Sequence, residues 1–198
     1  MNGMINRVVE RFARDTYGRE FWISVTRRLG LDLSEFEPML TYEAALTEAL
    51  LTDIATALDK GRDEVMEDIG TYLVSHPNVG AVRRLLRFGG LNFLDFLHSL
   101  DDLPERARLA VSDLNLPPLE LREYGAQSFG LTVGAQKDMP PGAGHVMMGL
   151  LRAMADDYGA LAFLEYKGVR DGAEIIDIRL LEAAFAEGRD FDLGARSA

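Results

Sequence analysis

Cysteine is absent from this 198-residue chain, and histidine occurs only as His76, His98 and His145. Without thiols the chain cannot form disulfides, thiolate nucleophiles, iron–sulfur clusters or a thiolate-held haem. A zinc site would need clustered histidines, and the chain has only these three. Thiol chemistry and cysteine metal sites are therefore excluded.

An excess of basic residues is lacking as well. The chain has 21 Lys and Arg against 32 Asp and Glu, a formal net charge of −11. Nucleic acids and anionic membranes bind cationic surfaces, so we expect neither as a partner. The N-terminal "MNGMINRVVERFARD" has no apolar signal-peptide core, and no apolar run is long enough to span a bilayer. We therefore expect a cytoplasmic globular protein.

Recognisable catalytic motifs are missing too. The chain has no Gly-rich phosphate loop, no nucleophile elbow and no histidine pair at metal-ligand spacing. Acidic clusters such as "DDLPE" lie beside polar helix faces and are interpreted as solvated charge. His76 in a turn and His145 at a helix start are interpreted as structural. These residues indicate a binding domain and not an enzyme.

The first 115 residues show helical spacing of apolar residues throughout. Six segments predict six helices: "INRVVERFARDT", "EFWISVTRRLG", "LTYEAALTEALLTDIATALDKG", "DEVMEDIGTYLV", "VGAVRRLLRF" and "LNFLDFLHSLDDLPERARLAVSDL". Pro117 and Pro118 end this region, because proline disfavours helix continuation.

Alternating apolar and polar residues then predict four strands, in "LELREY", "FGLTVGAQ", "ALAFLEYKGV" and "AEIIDIRL". A helix in "HVMMGLLRAMADDYG" separates the two strand pairs. The predicted fold is α+β, with a helical N-terminal part and a C-terminal four-stranded antiparallel sheet containing an inserted helix. We assign one domain to residues 1–181, with the helical part at 1–115 and the sheet part at 116–181. The weakly patterned tail, 182–198, is predicted to be partly free.

This order of elements resembles the haem nitric oxide/oxygen binding family, called H-NOX. Gly3, Tyr17-Gly18 and Trp22 match the family's opening, and "GRDEVMEDIGTYLV" is similar to its next segment. "RFGGLNFLDFLHSLDDLPERARL" resembles the helix that carries the haem's axial histidine. The resemblance covers residues 1–181 as a diffuse match. It implies haem as cofactor, nitric oxide sensing, and a separate signalling partner such as a histidine kinase or a cyclic-dinucleotide enzyme.

Pro104 departs from the family at its most important position. The family pattern ends Leu-Asp-x-Leu-His, so "LDDLP" places Pro104 where the axial histidine stands. In a continuous helix, Leu97, Leu100 and Pro104 would share one inward face. Proline offers iron no lone pair. "DLPE" further predicts a helix break near Asp102, with Pro104 in the first turn of a new helix and a capping box between Asp102 and Glu105.

His98 is the other histidine of this segment. It lies about 120° around a helix from the inward face, which favours a polar-face position. A kink at Pro104 could nevertheless turn it toward iron as a substitute ligand.

The family's propionate clamp, Tyr-x-Ser-x-Arg, is also altered. "VGAQK" places Val133, Ala135 and Lys137 at its three positions. Lys137 alone keeps a charge, and lysine does not replace the planar fork of arginine. If haem is bound in the family manner, Lys137 should approach a propionate, and Lys137→Ala should weaken haem retention. Otherwise "VGAQK" is simply the end of a strand.

Two functional hypotheses follow from this resemblance. In the first, the chain is a stand-alone haem and nitric oxide sensor, with iron bound through His98 or without a protein axial ligand. In the second, it is a haem-free interaction or apolar-ligand-binding module, whose haem-sized space is refilled by side chains or another apolar ligand.

Overall fold

The computed structural model describes residues 3–32, 35–110, 116–136 and 139–191. The helical part contains α1 (Gly3–Tyr17), α2 (Arg19–Arg28), α3 (Ala44–Leu58), α4 (Arg62–Ser75), a short 3-10 helix (Pro77–Val79), α5 (Gly80–Arg87), α6 (Phe93–His98) and α7 (Leu103–Ala110). The sheet part contains β1 (Leu119–Gly125), β2 (Ser128–Val133), α8 (Ala143–Tyr158), β3 (Leu161–Arg170) and β4 (Ala173–Glu182).

The four strands form one sheet in the order β1-β2-β4-β3. Every neighbouring pair is antiparallel, and α8 lies between the two strand pairs in sequence. The predicted α+β architecture, with its inserted helix, is confirmed. One boundary differs, because β2 ends at Val133 and the following "GAQ" is not part of the strand.

The helices α1 to α4 enclose the first of two cores. Its largest buried side chains are aromatic: Phe12, Trp22 and Phe36 are each no more than 2% exposed. Glu10 lies among them with no exposed surface, and its carboxylate is 2.8 Å from the guanidinium of Arg14. It also accepts the backbone N–H of Phe36 at 2.8 Å. A buried carboxylate is stable when paired in this way, so Glu10 ties α1 to the chain that follows α2.

The second core lies between α6, α8 and the inner face of the sheet. Alternate strand residues supply it, as the period of a strand requires. The fully buried strand side chains are Phe129, Leu131 and Val133 from β2 and Ile176, Ile178 and Leu180 from β4.

Two glycines bring α4 and α8 into backbone contact. A Cβ on Gly149 would overlap the carbonyl oxygen of Glu67, and a Cβ on Gly70 would overlap that of Val146. Glycine is therefore required at both positions by close approach. This contact joins the helical part to the sheet part.

The C-terminal residues 183–191 lie against the end of α8. The N–H groups of Phe185 and Ala186 donate to the carbonyl of Gly159 at 2.8 and 3.0 Å, and Arg189 N–H donates to the carbonyl of Asp157 at 2.9 Å. The weak sequence pattern predicted a partly free tail, whereas this portion is held by backbone hydrogen bonds that leave no side-chain periodicity. Residues 192–198 lie outside the described residues. Across the described ranges, no helix has the length and apolar character of a membrane span.

Candidate functional site

Pro104, which the family resemblance places at the position of the axial histidine, lies next to a break between α6 and α7. The carbonyl of Leu100 accepts the N–H of Leu103 at 3.1 Å, and the carbonyl of Asp102 accepts that of Arg106 at 3.0 Å. Pro104 has no N–H, and inside a helix its ring would clash with the carbonyl four residues earlier, which belongs to Leu100. The first turn of a helix tolerates proline. The predicted break near Asp102 is therefore confirmed, and Pro104 stands in the first turn of α7.

A contact with the sheet fixes this break in place. The carboxylate of Asp101 accepts the backbone N–H of Leu121 in β1 at 2.6 Å. The expected capping box between Asp102 and Glu105 is not found among the hydrogen bonds of the described residues, and both carboxylates are exposed. Asp101 thus ties the turn to β1, and Nη2 of Arg106 donates across the turn to the carbonyl of Ser99 at 3.0 Å.

The break also changes which residues face the core. Leu97 and Leu100 are fully buried, and after the break Leu103 and Ala107 continue the buried face at 3% and 1% exposure. Pro104 is only half-buried. The expectation that Pro104 shares the inward face of Leu97 and Leu100 is therefore wrong. That expectation assumed a continuous helix. The turn shifts the inward position from residue 104 to residue 103.

His98 points away from this interior. Its side chain is 51% exposed, and Nε2 lies 3.8 Å from the carboxylate of Glu123 in β1. The edge of the imidazole packs on the buried ring of Phe129, with centroids 5.9 Å apart. This is the polar-face position that the helical angle favoured. The arrangement does not direct His98 toward the core as a substitute iron ligand.

The core beside the break is closely packed. Leu97, Leu100, Leu131, Leu151 and Met154 have no exposed surface. A side chain with no surface accessible to water does not border a water-sized void. A flat macrocycle beside α7 would require these side chains to move. These five side chains therefore leave no haem-sized space between them.

Two of the positions that the resemblance assigns to the propionate clamp lie at a separate cleft of about 490 Å³, between the starts of α4 and α8 and the end of β2. Val133 and Ala135 both line it. The polar and charged side chains of its described wall are Arg62, Asp63, Gln136, His145, Tyr166 and Glu174. Lys137, the third clamp position, lies outside the described residues.

The cleft offers little to an anionic group. Val133 is 1% exposed, and neither Val133 nor Ala135 has a polar side chain. Arg62 supplies a guanidinium, but its Nε and Nη2 donate to the carboxylate of Glu48 at 3.1 and 3.0 Å. Nη2 also donates to the carbonyl of Pro141 at 2.8 Å. The described clamp positions therefore do not fit the haem propionates.

Carboxylates lie beside two further polar groups of the cleft, Tyr166 and His145. The hydroxyl of Tyr166 donates to Glu174 at 2.8 Å; burial, together with this carboxylate, raises the pKa of Tyr166 to about 12. The ring of His145 stacks on Tyr166 with centroids 4.2 Å apart. Its Nε2 and Nδ1 lie 3.5 Å from the carboxylates of Asp63 and Glu67.

Sequence reasoning did not identify this cleft. From the sequence, His145 is interpreted as structural, and Asp63, Tyr166 and Glu174 belong to no motif. These residues belong to four different elements, so only the folded chain brings them together. In the part of the chain that the structure describes, no three His, Asp or Glu side chains are grouped closely enough to hold a metal ion.

Comparison with known proteins places this geometry in a family. The profile of the Haem-NO-binding family matches residues 2–162. No curated protein matches the chain in sequence.

Several solved H-NOX structures share the fold. A triple mutant of an H-NOX protein from S. oneidensis in the Fe(II) state is 16% identical, with a TM-score of 0.75, over 92% of this chain and 97% of that one. An unliganded Fe(II) H-NOX point mutant from K. algicida is 17% identical, with a TM-score of 0.69, over 92% and 97%. An oxygen-binding H-NOX domain related to soluble guanylate cyclases is 14% identical, with a TM-score of 0.65, over 96% and 100%.

Proposed function

The chain belongs to the Haem-NO-binding, or H-NOX, family, and we propose that it is a haem-free member, a binding and signalling module that uses the fold without a histidine-ligated haem. The observation that carries the proposal is the break between α6 and α7, with Pro104 in the first turn of α7.

The break leaves iron without a protein ligand at the family position. A ligand to iron needs a lone pair directed into the interior. Pro104 has none, and the inward positions of α7 are taken by Leu103 and Ala107. His98, on the other side of the break, faces Glu123 and solvent. No donor on this segment is directed at the space beside Leu100.

The clamp end of the site supports the same proposal. Two clamp positions carry only aliphatic side chains, and Arg62 nearby is already paired with Glu48. Asp63 and Glu174 add negative charge to the same wall. Haem propionates are anionic, so this wall repels them instead of clamping them. Iron ligation and propionate binding are thus both weakened in one chain.

We further propose that a separate protein reads the state of this module. The family resemblance points to a histidine kinase or a cyclic-dinucleotide enzyme as the class of partner. The net charge of −11 agrees with a protein partner rather than nucleic acid.

An absorption spectrum of the purified protein, expressed with haem supplied, tests the proposal. We expect no Soret band of histidine-ligated haem, whereas a haem-binding H-NOX relative expressed in parallel should show one. A wild-type band that shifts with nitric oxide would contradict the proposal. His98→Ala would then determine whether His98 is the ligand.

The Pro104→His variant distinguishes two reasons for which the protein would not bind haem: a missing axial ligand and an interior with no room for haem. We expect Pro104→His to remain colourless, because fully buried leucines occupy the interior beside α7. Asp102→His is the matched control, since it places an imidazole at an exposed position of the same turn. A nitric oxide-responsive band in Pro104→His, but not in Asp102→His, would show that haem-sized space survives and that only the ligand was lost.

A further inference from the structure

The C-terminal segment 183–191, which we call the strap, crosses the end of α8 in backbone contact. A Cβ on Gly159 would overlap the carbonyl oxygen of Ala186, and a Cβ on Gly188 would lie 2.9 Å from the carbonyl oxygen of Asp157. Together with the three backbone hydrogen bonds described above, this close approach gives the strap one defined path. The strap is therefore seated on α8 rather than merely lying near it.

A buried carboxylate connects the strap to α5. Asp157 has no exposed surface, and its Oδ1 accepts from Nε of Arg83 at 2.9 Å. Nη2 of Arg83 also donates to the carbonyl of Asp190 in the strap at 3.0 Å. One guanidinium thus holds both α8 and the strap, and charge-assisted hydrogen bonds of this kind are strong.

An aromatic side chain of the strap covers the same arginines. The ring of Phe191 lies 5.6 Å from the guanidinium carbon of Arg83 and 4.8 Å from that of Arg87. The ring of Tyr158 lies 4.1 Å from the Arg87 guanidinium carbon. Arg87 is therefore in cation–π contact both with α8 and with the strap.

Arg87 adds polar contacts to this cluster. Its Nη1 donates to the backbone carbonyl of Asp157 at 3.2 Å and lies 3.5 Å from Oδ2 of the same residue. A buried network of charged groups is sensitive to small displacements, because electrostatic interactions are stronger at low polarity than in water. A small shift of α5 would change the bonds that hold the strap.

Tyr158 extends the contacts to α6. Its hydroxyl donates to the carbonyl of Gly90, just before α6, at 2.9 Å. Its ring lies 6.4 Å from that of Phe93 and 6.0 Å from that of Phe96. Packed side chains therefore run without interruption from Phe191 through Arg87 and Tyr158 to α6.

We propose that the strap and α6 are conformationally coupled: displacement of α6 loosens the strap, and release of the strap loosens α6. Coupling between two sites is reciprocal by thermodynamic necessity, so both directions must hold. The contacts listed above involve neither Pro104 nor the described clamp positions Val133 and Ala135. Measurement of both directions tests this coupling.

Amide hydrogen exchange on the whole chain measures the first direction. Asn92→Ala removes the N-cap of α6, where the Asn92 side chain accepts the N–H of Asp95 at 2.9 Å. Asn92 is exposed, so the core is left intact. We expect exchange at the amides of Phe185, Ala186 and Arg189 to rise about fivefold, the factor set by loss of a typical cap. Arg28→Ala, which breaks the exposed pair with Asp53, is the control and should leave these amides unchanged.

Phe191→Ala measures the reverse direction. We expect faster exchange at the strap amides and also at Phe96 and Ser99, whose N–H groups donate to the carbonyls of Asn92 and Asp95 at 3.1 Å. Phe185→Ala is the matched control, because it removes a 59% exposed ring from the same strap and should leave α6 unchanged.

The proposal fails if either direction is missing. Strap amides that exchange in Asn92→Ala at the wild-type rate would overturn it, as would a Phe191→Ala strap that is released without any change in α6. Equal acceleration of the amides that pair β2 with β4 would indicate global unfolding and would also overturn it.

Discussion

The contact between α4 and α8 differs from the junction between α6 and α7 in how much room it leaves for a side chain. At the first, Gly70 and Gly149 let two helix backbones touch. At the second, a chain with helical periodicity is interrupted by a turn, and Leu103 rather than Pro104 takes the buried position. The contact between α4 and α8 leaves no room for a side chain. The turn between α6 and α7 accommodates Pro104, which would disrupt the interior of a continuous helix.

This difference distinguishes the contacts that join the two parts of the fold from the position that the family resemblance assigns to the axial ligand. The contact between α4 and α8 joins the two parts of the molecule and involves neither Pro104 nor the clamp positions. The altered junction is anchored instead by Asp101 to β1. The contact between α4 and α8 therefore does not depend on which residue stands at position 104, because it lies elsewhere in the molecule.

Gly149→Ala should produce the largest effect. The new methyl group would overlap the carbonyl of Glu67, so the helices must separate, and we expect a loss of about 3 kcal/mol in the free energy of unfolding. Gly80→Ala is the matched control, since its Cβ would meet only the tip of Arg84 at 3.7 Å. Urea denaturation of both variants measures the difference, and equal stabilities would show that α4 and α8 are not closely held.

Tyr166→Phe tests the cleft beside the start of α8, with an intermediate effect. The variant keeps the ring against His145 but removes the hydrogen bond to Glu174, so we expect a loss of about 1 kcal/mol at neutral pH.

The pH dependence of this effect has a defined sign. The folded state raises the pKa of Tyr166 to about 12, whereas an unfolded tyrosine titrates near 10. The stabilisation is therefore complete below pH 10 and is lost as the pH rises toward 12. The gap in urea midpoint between wild type and Tyr166→Phe should narrow between pH 8 and pH 11. A gap independent of pH would show that the hydroxyl does not titrate in this way.

Pro104→Ala should have the smallest effect. A proline in the first turn costs little, so we expect the free energy of unfolding to change by less than about 1 kcal/mol. If Pro104 instead strained a continuous helix, alanine would stabilise the protein by about 3 kcal/mol. Thermal unfolding of the two proteins decides between these outcomes, and a large gain would contradict the break between α6 and α7.

Much of the fold was predictable because it depends on local periodicity. The helical region, the four strands and the inserted helix follow from spacings of 3.6 and 2 residues. The break near Asp102 was predictable from "DLPE", because proline is strongly disfavoured in the interior of a helix. The inward face after the break was not predictable in the same way, because a turn of unspecified length shifts the helical phase.

The candidate site was predictable only in part. Val133 and Ala135 do line a cleft, but its charged wall comes from Asp63, His145 and Glu174, which no motif connects. The packing of the strap against α8 and α5 was not predicted for a related reason. It depends on backbone hydrogen bonds to Gly159 and on arginines of α5, about 100 residues away in sequence.

The sequence by itself determined that this chain builds an α+β fold and carries a proline within a segment of helical periodicity, because periodicity and residue chemistry are local properties. Only the tertiary structure decided that Pro104 leaves the buried face, that His98 turns to Glu123, and that the strap is seated on Asp157. Those outcomes depend on which distant groups meet in three dimensions, and no spacing along the chain encodes that directly.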